Sequence, residues 1–465
     1  MDARSSAAVP DSVSVSSGAD AIGHGTNSWA ALVAMLCGTF LGTLNNNIVN
    51  VPLRDISQGY GVAPSQGVLV VVSFLLVFAV TMPLTGWLGD RLGRRRVFSW
   101  SMVGLVFGAI GAATAPSLAV LVAFRAIQGL ATAAVLPTVM GLIADIFTTD
   151  RRARALGYWA AVNGIGQAVG PPVGGLIAAW VGWRWIFAPI VPGALLVLLA
   201  TMRYVPRDPA RSIPLDWRGA SSLTSGSALL IAAATMVAMP EVPRGYPVAL
   251  AAAGVVLLVL FAWSATHRPN PFIAGRLIVE SRFLRSCLAV FAQMFCLGTT
   301  LVAVPLYLTG EVGATTAVAG LVVFAFPAAM AVLAPVSGLL TERHGPRWVV
   351  RGGLLTLVAG QLLLGWYLAA SGAAVWVVAA LMLLGGVGVG LVQTPVATSA
   401  TRAPAGRSGA ALGLFNLIRF SGSALGAAWV ALVIPSNALL ALFVVSAAVA
   451  VIGLVGTYAG DDPAP

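Results

Sequence analysis

Two arginines, Arg125 and Arg419, lie inside long apolar runs, and Asn45, Asn46, Asn47 and Asn50 crowd into a third. A guanidinium placed in hydrocarbon costs a few kcal/mol unless it reaches water or a partner, so each deep arginine asks for a polar cavity or a counter-charge. Arg125 lies about eight residues from the end of its run, roughly 12 Å down, with Gln128 one turn further on. It either snorkels to the interface or handles a substrate or a proton. Thr39, Thr43, Asn46, Asn47 and Asn50 fall within an arc of about 100°, one face of a helix. Such a face lines a wet cavity or binds a neighbouring helix through its amides. Asn45 points about 140° from the centre of that face.

Other chemistry is thin. Of the 15 acids, Asp55, Asp145 and Glu311 fall near the ends of apolar runs and none falls deep inside one. Cys37, Cys287 and Cys296 sit in apolar runs without CxxC spacing, and His24, His267 and His344 sit in polar connectors, so neither a metal centre nor a disulfide is expected. The chain has no HExxH, no GxSxG and no deep carboxylate pair, which argues against an enzyme, and no GxxxxGK[ST] loop, which argues against direct use of ATP. No cofactor is expected.

The elements that must position these residues follow from composition. The 465 residues are 58% hydrophobic and 9% charged, with mean hydropathy +0.93; a soluble domain carries about a quarter charged residues. Fourteen helices of bilayer-spanning length are expected, near 29–52, 66–86, 97–114, 118–144, 153–179, 185–203, 220–239, 247–265, 286–308, 317–340, 349–369, 374–397, 409–433 and 437–458. Residues 1–28 read as a disordered tail without the apolar core of a signal peptide, and 459–465 as a second tail.

All 26 basic residues are arginine, giving a net charge of +11. They are scattered through short connectors, a pattern of membrane topology and not of nucleic-acid binding. With the N-terminus inside, twenty arginines fall in cytoplasmic connectors and only Arg54, Arg184 and Arg244 fall outside, so both termini are expected in the cytoplasm of a plasma (inner) membrane protein.

An internal repeat is visible. GWLGDRLGRRR at 86–96 is echoed by GLLTERHGPRW at 338–348, with Glu342 standing 252 residues after Asp90. ALGYWAAVNGIGQAVG at 155–170 is echoed by ALGLFNLIRFSGSALG at 411–426, at an offset of 256. The repeat divides the chain into a six-helix bundle at 29–203, two inserted helices within 204–285 and a second six-helix bundle at 286–458.

The run Gly86-Trp-Leu-Gly-Asp90-Arg91-Leu-Gly93-Arg94-Arg95 resembles the signature of the major facilitator superfamily between its second and third helices. Phe124-Arg125-Ala-Ile-Gln128-Gly129 is similar to the family's R-x-x-q-G pattern. Gly166-Gln-Ala-Val-Gly170-Pro171-Pro172-Val-Gly174-Gly175 matches its antiporter motif, although four glycines at this spacing equally make a plain packing surface. Leu215-Asp216-Trp217-Arg218-Gly219-Ala220 looks like the entry to helix 7 in the fourteen-helix drug:proton antiporter branch. The resemblance covers residues 29–458 and implies an all-α membrane fold of two six-helix bundles plus two inserted helices.

The resemblance implies a gating set of Gly86, Asp90, Arg91, Gly93, Arg95, Asp145, Glu342 and Arg343, in which Asp90, a neighbouring arginine and Asp145 latch the cytoplasmic side. It implies a secondary exporter of a small amphipathic compound, a drug or the producer's own metabolite, driven by protons, with the bilayer and the substrate as its partners and no obligatory protein partner. An importer or facilitator of the same fold for a neutral or anionic metabolite is the alternative. One departure matters: the branch carries an aspartate in helix 1 where this chain has Asn45. With Asn45, Asn46, Asn50, Arg125, Gln128 and Arg419 as the substrate or coupling residues, neutral or anionic substrates are favoured over lipophilic cations.

Overall fold

The basic stretch at 86–96, expected to link two helices, is almost wholly helical. One helix runs Leu69–Leu92 and the next Arg94–Ala113, leaving Gly93 alone between them. Gly93 turns the chain at φ 98°, a conformation that penalises any residue with a Cβ. The second half repeats the device at Gly345, φ 80°, between helices Thr316–His344 and Pro346–Ala369. The sequence repeat is therefore an architectural one.

The computed structural model describes residues 27–62, 64–210, 212–237, 242–370, 372, 374–402, 408–433 and 438–460. The expected tails at 1–28 and 459–465 lie outside them except at residues 27, 28, 459 and 460. In chain order the first half contains α1 (Asn27–Asn47), α2 (Leu53–Gly59), α3 (Pro64–Gly67), α4 (Leu69–Leu92), α5 (Arg94–Ala113) and α6 (Leu118–Ala133). It continues with α7 (Val135–Ile146), α8 (Thr149–Val181), a 3-10 turn at Trp183–Phe187 and α9 (Ile190–Tyr204). Then come α10 (Trp217–Val237), α11 (Gly245–His267) and α12 (Gly275–Val279). The second half contains α13 (Ser281–Gly310), α14 (Thr316–His344), α15 (Pro346–Ala369), α16 (Val375–Arg402), α17 (Gly409–Val433) and α18 (Leu439–Gly456). No strand occurs among the described residues.

Thirteen helical segments among the described residues are long and apolar enough to cross a membrane, with α6 and α7 forming one segment and the 3-10 turn and α9 another. The long helix α8, 33 residues and about 50 Å, is not among the thirteen, its stretch of glycines, prolines and amides lowering its hydropathy. Two expected boundaries move for reasons of backbone chemistry. The first helix stops at Asn47 instead of 52 and passes through turns to Pro52, which disfavours helix in the residue before it. The fourth is interrupted at Ala134, one turn before Pro137, which has no N–H to return to residue 133.

Within the first half α1 packs on α8 and α9, and α6 on α4 and α5; within the second, α13 packs on α17 and α18, and α16 on α14 and α15. The halves meet along two seams, α4 against α17 and α14 against α8. Each seam joins the first member of a glycine-hinged pair to the helix that carries the other repeat in the opposite half. The α10–α11 hairpin stands outside both halves and touches them through α10, which packs on α4 and α17.

Candidate functional site

At the arginine-rich end of the first seam, Asp90 in the last turn of α4 and Arg94 in the first turn of α5 are one helical turn apart, with side chains only 6% exposed. Arg94 donates to Asp90 Oδ1 from Nε (3.0 Å) and Nη2 (2.8 Å), and its Nη1 reaches Asp145 Oδ2 at the end of α7 (2.8 Å). The second oxygen of Asp90 accepts the backbone N–H of Gly409, the first residue of α17. An anion at a helix N-terminus meets unpaired N–H groups and the positive end of the dipole, so Asp90 caps a helix of the opposite half. The close approach needs a residue without a side chain on each strand of the seam, since a Cβ on Gly86 would collide with the Gly409 carbonyl and one on Gly409 with that of Gly86.

The second seam carries the reciprocal arrangement. Glu342, in the last turn of α14, accepts from Arg154 of α8 through Nη2 (3.0 Å) and backbone N–H (3.2 Å). Gly338 takes the place of Gly86, its Cα facing the Ala153 carbonyl. This pair is looser, with Arg154 42% exposed.

Between the halves lies a cavity of about 280 Å³. Thr39, Thr43, Asn46 and Asn47 of α1 and Asn50 in the turn after it line it, with Gln167 of α8 beside them. Leu75 and Phe78 of α4 and Leu297 and Leu301 of α13 form apolar walls, and Arg419 and Phe420 of α17 close one side. The cavity reaches toward the arginine-poor end, where Asn50 is exposed; the latches lie at the opposite end.

The two deep arginines differ. Arg125 is fully buried and donates from Nη1 to Gln128 Oε1 (2.8 Å), Asn45 O (3.1 Å) and Asn45 Oδ1 (3.4 Å), and from Nε to the Val70 carbonyl (3.2 Å). The Phe74 ring lies 4.3 Å from its Cζ. Arg419 is 1% exposed, and none of its Nε, Nη1 and Nη2 has a hydrogen-bond partner among the described residues. It rests against the rings of Phe420 (5.1 Å) and Trp159 (5.5 Å).

The family model of the Major Facilitator Superfamily matches residues 35–279 and 286–465. The chain belongs to the major facilitator superfamily. It is therefore a multi-pass membrane transporter and not an enzyme. The transporter is 34% identical over 410 residues to the multidrug resistance protein Stp of Mycobacterium tuberculosis, covering 85% of this chain and 74% of that one. It is 30% identical over 409 residues to the puromycin resistance protein pur8 of Streptomyces alboniger, covering 86% and 80%. Its fold is similar to that of the human organic anion transporter MFSD10, with a TM-score of 0.68 and coverage of 92% and 99%; at 20% identity this likeness speaks of the fold alone.

Against this geometry the sequence expectations divide. Asn46, Asn50 and Arg419 line the transporter's cavity, whereas Asn45, Arg125 and Gln128 come together behind its wall. Asn45 is fully buried on Arg125, so the missing helix-1 carboxylate does not itself alter the cavity lining. Within the gating set, Gly86, Asp90, Gly93 and Asp145 meet at one latch and Glu342 forms the other. The cation expected from Arg91 or Arg95 is Arg94 instead: Arg91 lies over the Trp87 ring (5.1 Å) and Arg95 Nη2 donates to the Met202 carbonyl. Arg343 is exposed and makes no ion pair among the described residues, its expected place being taken by Arg154. Gly166 and Gly170 face α1, where added Cβ atoms would meet Thr43 and Asn47, and Gly174 and Gly175 face Ile48 and Val51 in the turn that follows it, while Pro171 lies within α8 without ending it.

Sequence reasoning gave no site role to four residues that contribute. Asp208, after α9, accepts the N–H groups of Arg94 and Arg95 (3.1 Å for the latter) and so caps α5 from a distance. Trp159 and Gln167 were hidden because their part depends on which face α8 turns to the centre. Asp216 clasps the inserted hairpin through Arg268 (3.0 Å), Ser264 Oγ (3.2 Å) and the Phe272 N–H (3.3 Å). Burial raises its carboxyl, but the N–H groups of Gly219 and Phe272, the Ser264 hydroxyl and Arg268 together outweigh that and hold it below its ordinary value.

Proposed function

We propose that this transporter exports a small amphipathic organic compound across the plasma membrane by alternating access. The observation that carries the reading is a cavity between the two halves, sealed at one end by two latches that each tie a helix end of one half to the first or second turn of a helix of the other. Counting α8 as the fourteenth span gives bundles at 29–203 and 286–458 with 204–285 between them. The arginine-rich end then lies in the cytoplasm with both termini, by the charge asymmetry of the connectors. In that orientation the latches close the inner gate and the cavity faces outward.

Outward direction is supported by the relatives named for multidrug and puromycin resistance and by the glycine motif that joins α8 to α1. The resemblance implies a proton as the driving ion. Asp55, Asp90, Asp145, Asp208, Asp216, Glu280, Glu311 and Glu342, the acids whose surroundings are described, lie in connectors or at helix ends, and none lines the cavity.

The test is accumulation in a host stripped of its own pumps, with puromycin and a panel of neutral, anionic and cationic amphiphiles. Energised cells expressing the chain should hold less of at least one compound and tolerate more of it. Higher accumulation on expression would replace export by import.

A further inference from the structure

We infer that the cavity binds an amphipathic organic monoanion through Arg419, and that the membrane potential acting on this charge drives its export. The inference rests on the exporter reading and names the class of its substrate.

A guanidinium is charged at physiological pH and carries five N–H donors. Burying it without an acceptor costs several kcal/mol, and natural structures tolerate this at sites where a ligand supplies what the protein withholds. Arg419 is in that condition at the wall of the central cavity, with all three nitrogens unpartnered among the described residues and 1% of its surface exposed. The aromatic rings of Phe420 and Trp159 support the cation without using its donors. Arg125 shows what the same chain supplies to a deep arginine that has only to hold helices together: Nη2 has no partner among the described residues, but Nε and Nη1 are met by two carbonyls and two side-chain amides from three helices.

The rest of the cavity specifies the ligand. Leu75, Phe78, Leu297 and Leu301 suit an apolar or aromatic body, and Asn46 and Asn50 can hydrogen-bond to neutral polar groups nearer the mouth. A volume of about 280 Å³ admits a molecule of two or three fused rings and is small beside most ligand sites, which run to about 300–1,000 Å³. A carboxylate or sulfonate accepts two parallel N–H bonds from an arginine edge, a geometry that neither an alcohol nor an ammonium reproduces. A lipophilic cation would meet the guanidinium as a like charge.

Charge conservation then supplies the driving force. The loaded site is neutral and crosses the field without electrical work, whereas the empty site returns with its positive charge toward a negative interior. Each cycle carries one negative charge outward, and for a monovalent anion this shifts the distribution about 50-fold for each 100 mV.

The test uses 1-naphthalenesulfonate, which stays anionic at every working pH, and neutral 1-naphthalenesulfonamide. Binding to the full chain in nanodiscs should be about tenfold or more tighter for the sulfonate, the margin expected of a hydrogen bond to a charged group. Arg419→Gln should abolish that preference while sparing the sulfonamide, and Arg419→Lys should keep part of it. In proteoliposomes with a valinomycin-set potassium potential, sulfonate efflux should rise with an inside-negative potential and ignore an imposed pH gradient. Equal affinity for the two probes, or a preference that survives in folded Arg419→Gln, would overturn the anion site. Efflux that follows the pH gradient and not the potential would overturn the driving force. Outward transport of puromycin or the sulfonamide alone would leave the exporter standing and remove the anion. Inward transport in energised cells would remove the exporter while the binding comparison still decides Arg419.

Discussion

The two halves share an architecture and use their polar groups differently. In the first half two of the three nitrogens of the deep arginine reach acceptors, and the latch acid engages one side-chain cation and a helix start with almost no exposure. In the second half the deep arginine has no acceptor among the described residues and the latch acid pairs with a half-exposed arginine. The repeat makes the contrast sharp: 256 residues before Arg419 stands Asn163, a buried amide that donates to its own helix at Trp159 O (3.0 Å). A neutral residue at one of two equivalent positions and a bare cation at the other breaks the symmetry of the site. Burial alone does not separate an arginine that holds a structure from one that holds a ligand; the acceptors around it do.

Stability offers the severest way to break this contrast. Arg125→Ala strips the Val70 carbonyl, Asn45 and Gln128 of their shared donor and opens a void among α1, α4 and α6, at an expected cost of about 3 kcal/mol or more. Arg419→Gln removes a buried charge with no hydrogen-bond acceptor among the described residues and should leave the unfolding temperature unchanged or higher. Thermal unfolding of both variants in detergent checks the pair, and equal losses would erase the distinction.

The latches come next. Asp90→Asn removes a buried charge from Arg94 and from the start of α17, and transport should fall about tenfold or more with binding intact. Glu342→Gln loosens a partly exposed pair, for which a change of no more than about fivefold is expected. Comparable losses in the two variants would show that the latches share the load equally.

The smallest effect belongs to neither half. The Asp216 carboxyl is held below its ordinary value, so its clasp stabilises the folded chain above the unfolded carboxylate range near about 3.9 and is lost as pH falls through the depressed value. Unfolding temperature should therefore drop less on acidification from pH 5 to pH 3 in Asp216→Asn than in the parent, with transport at neutral pH little altered. A large transport defect at neutral pH would assign the hairpin to the transport cycle.

Much of this was legible in advance, and the rest was hidden for identifiable reasons. Helical periodicity alone placed Thr39, Thr43, Asn46 and Asn47 on one face and turned Asn45 away from it, because those angles are set by the backbone; Asn50 reaches the cavity from the turn beyond the helix end, which periodicity does not describe. The repeat exposed the pairing of Asp90 with Glu342. The choice of Arg94 among four neighbouring arginines was not legible, since it depends on α4 running to Leu92 and restarting at Arg94, which brings residues 90 and 94 onto one side. Arg154 in place of Arg343 is a contact across the seam, set by how two distant segments pack.

The α10–α11 hairpin has a consequence for solutes that dissolve in the bilayer. By lying on both α4 and α17 it covers, from the lipid side, one of the two lines along which the halves meet. The α8–α14 line has no such cover from the inserted pair. A compound that reaches the protein by diffusing within a leaflet therefore meets two unequal flanks, one overlaid by α10 and one that the inserted pair leaves uncovered among the described residues. Its sideways approach to the centre is one-sided, although the halves themselves are built as a near-symmetric pair.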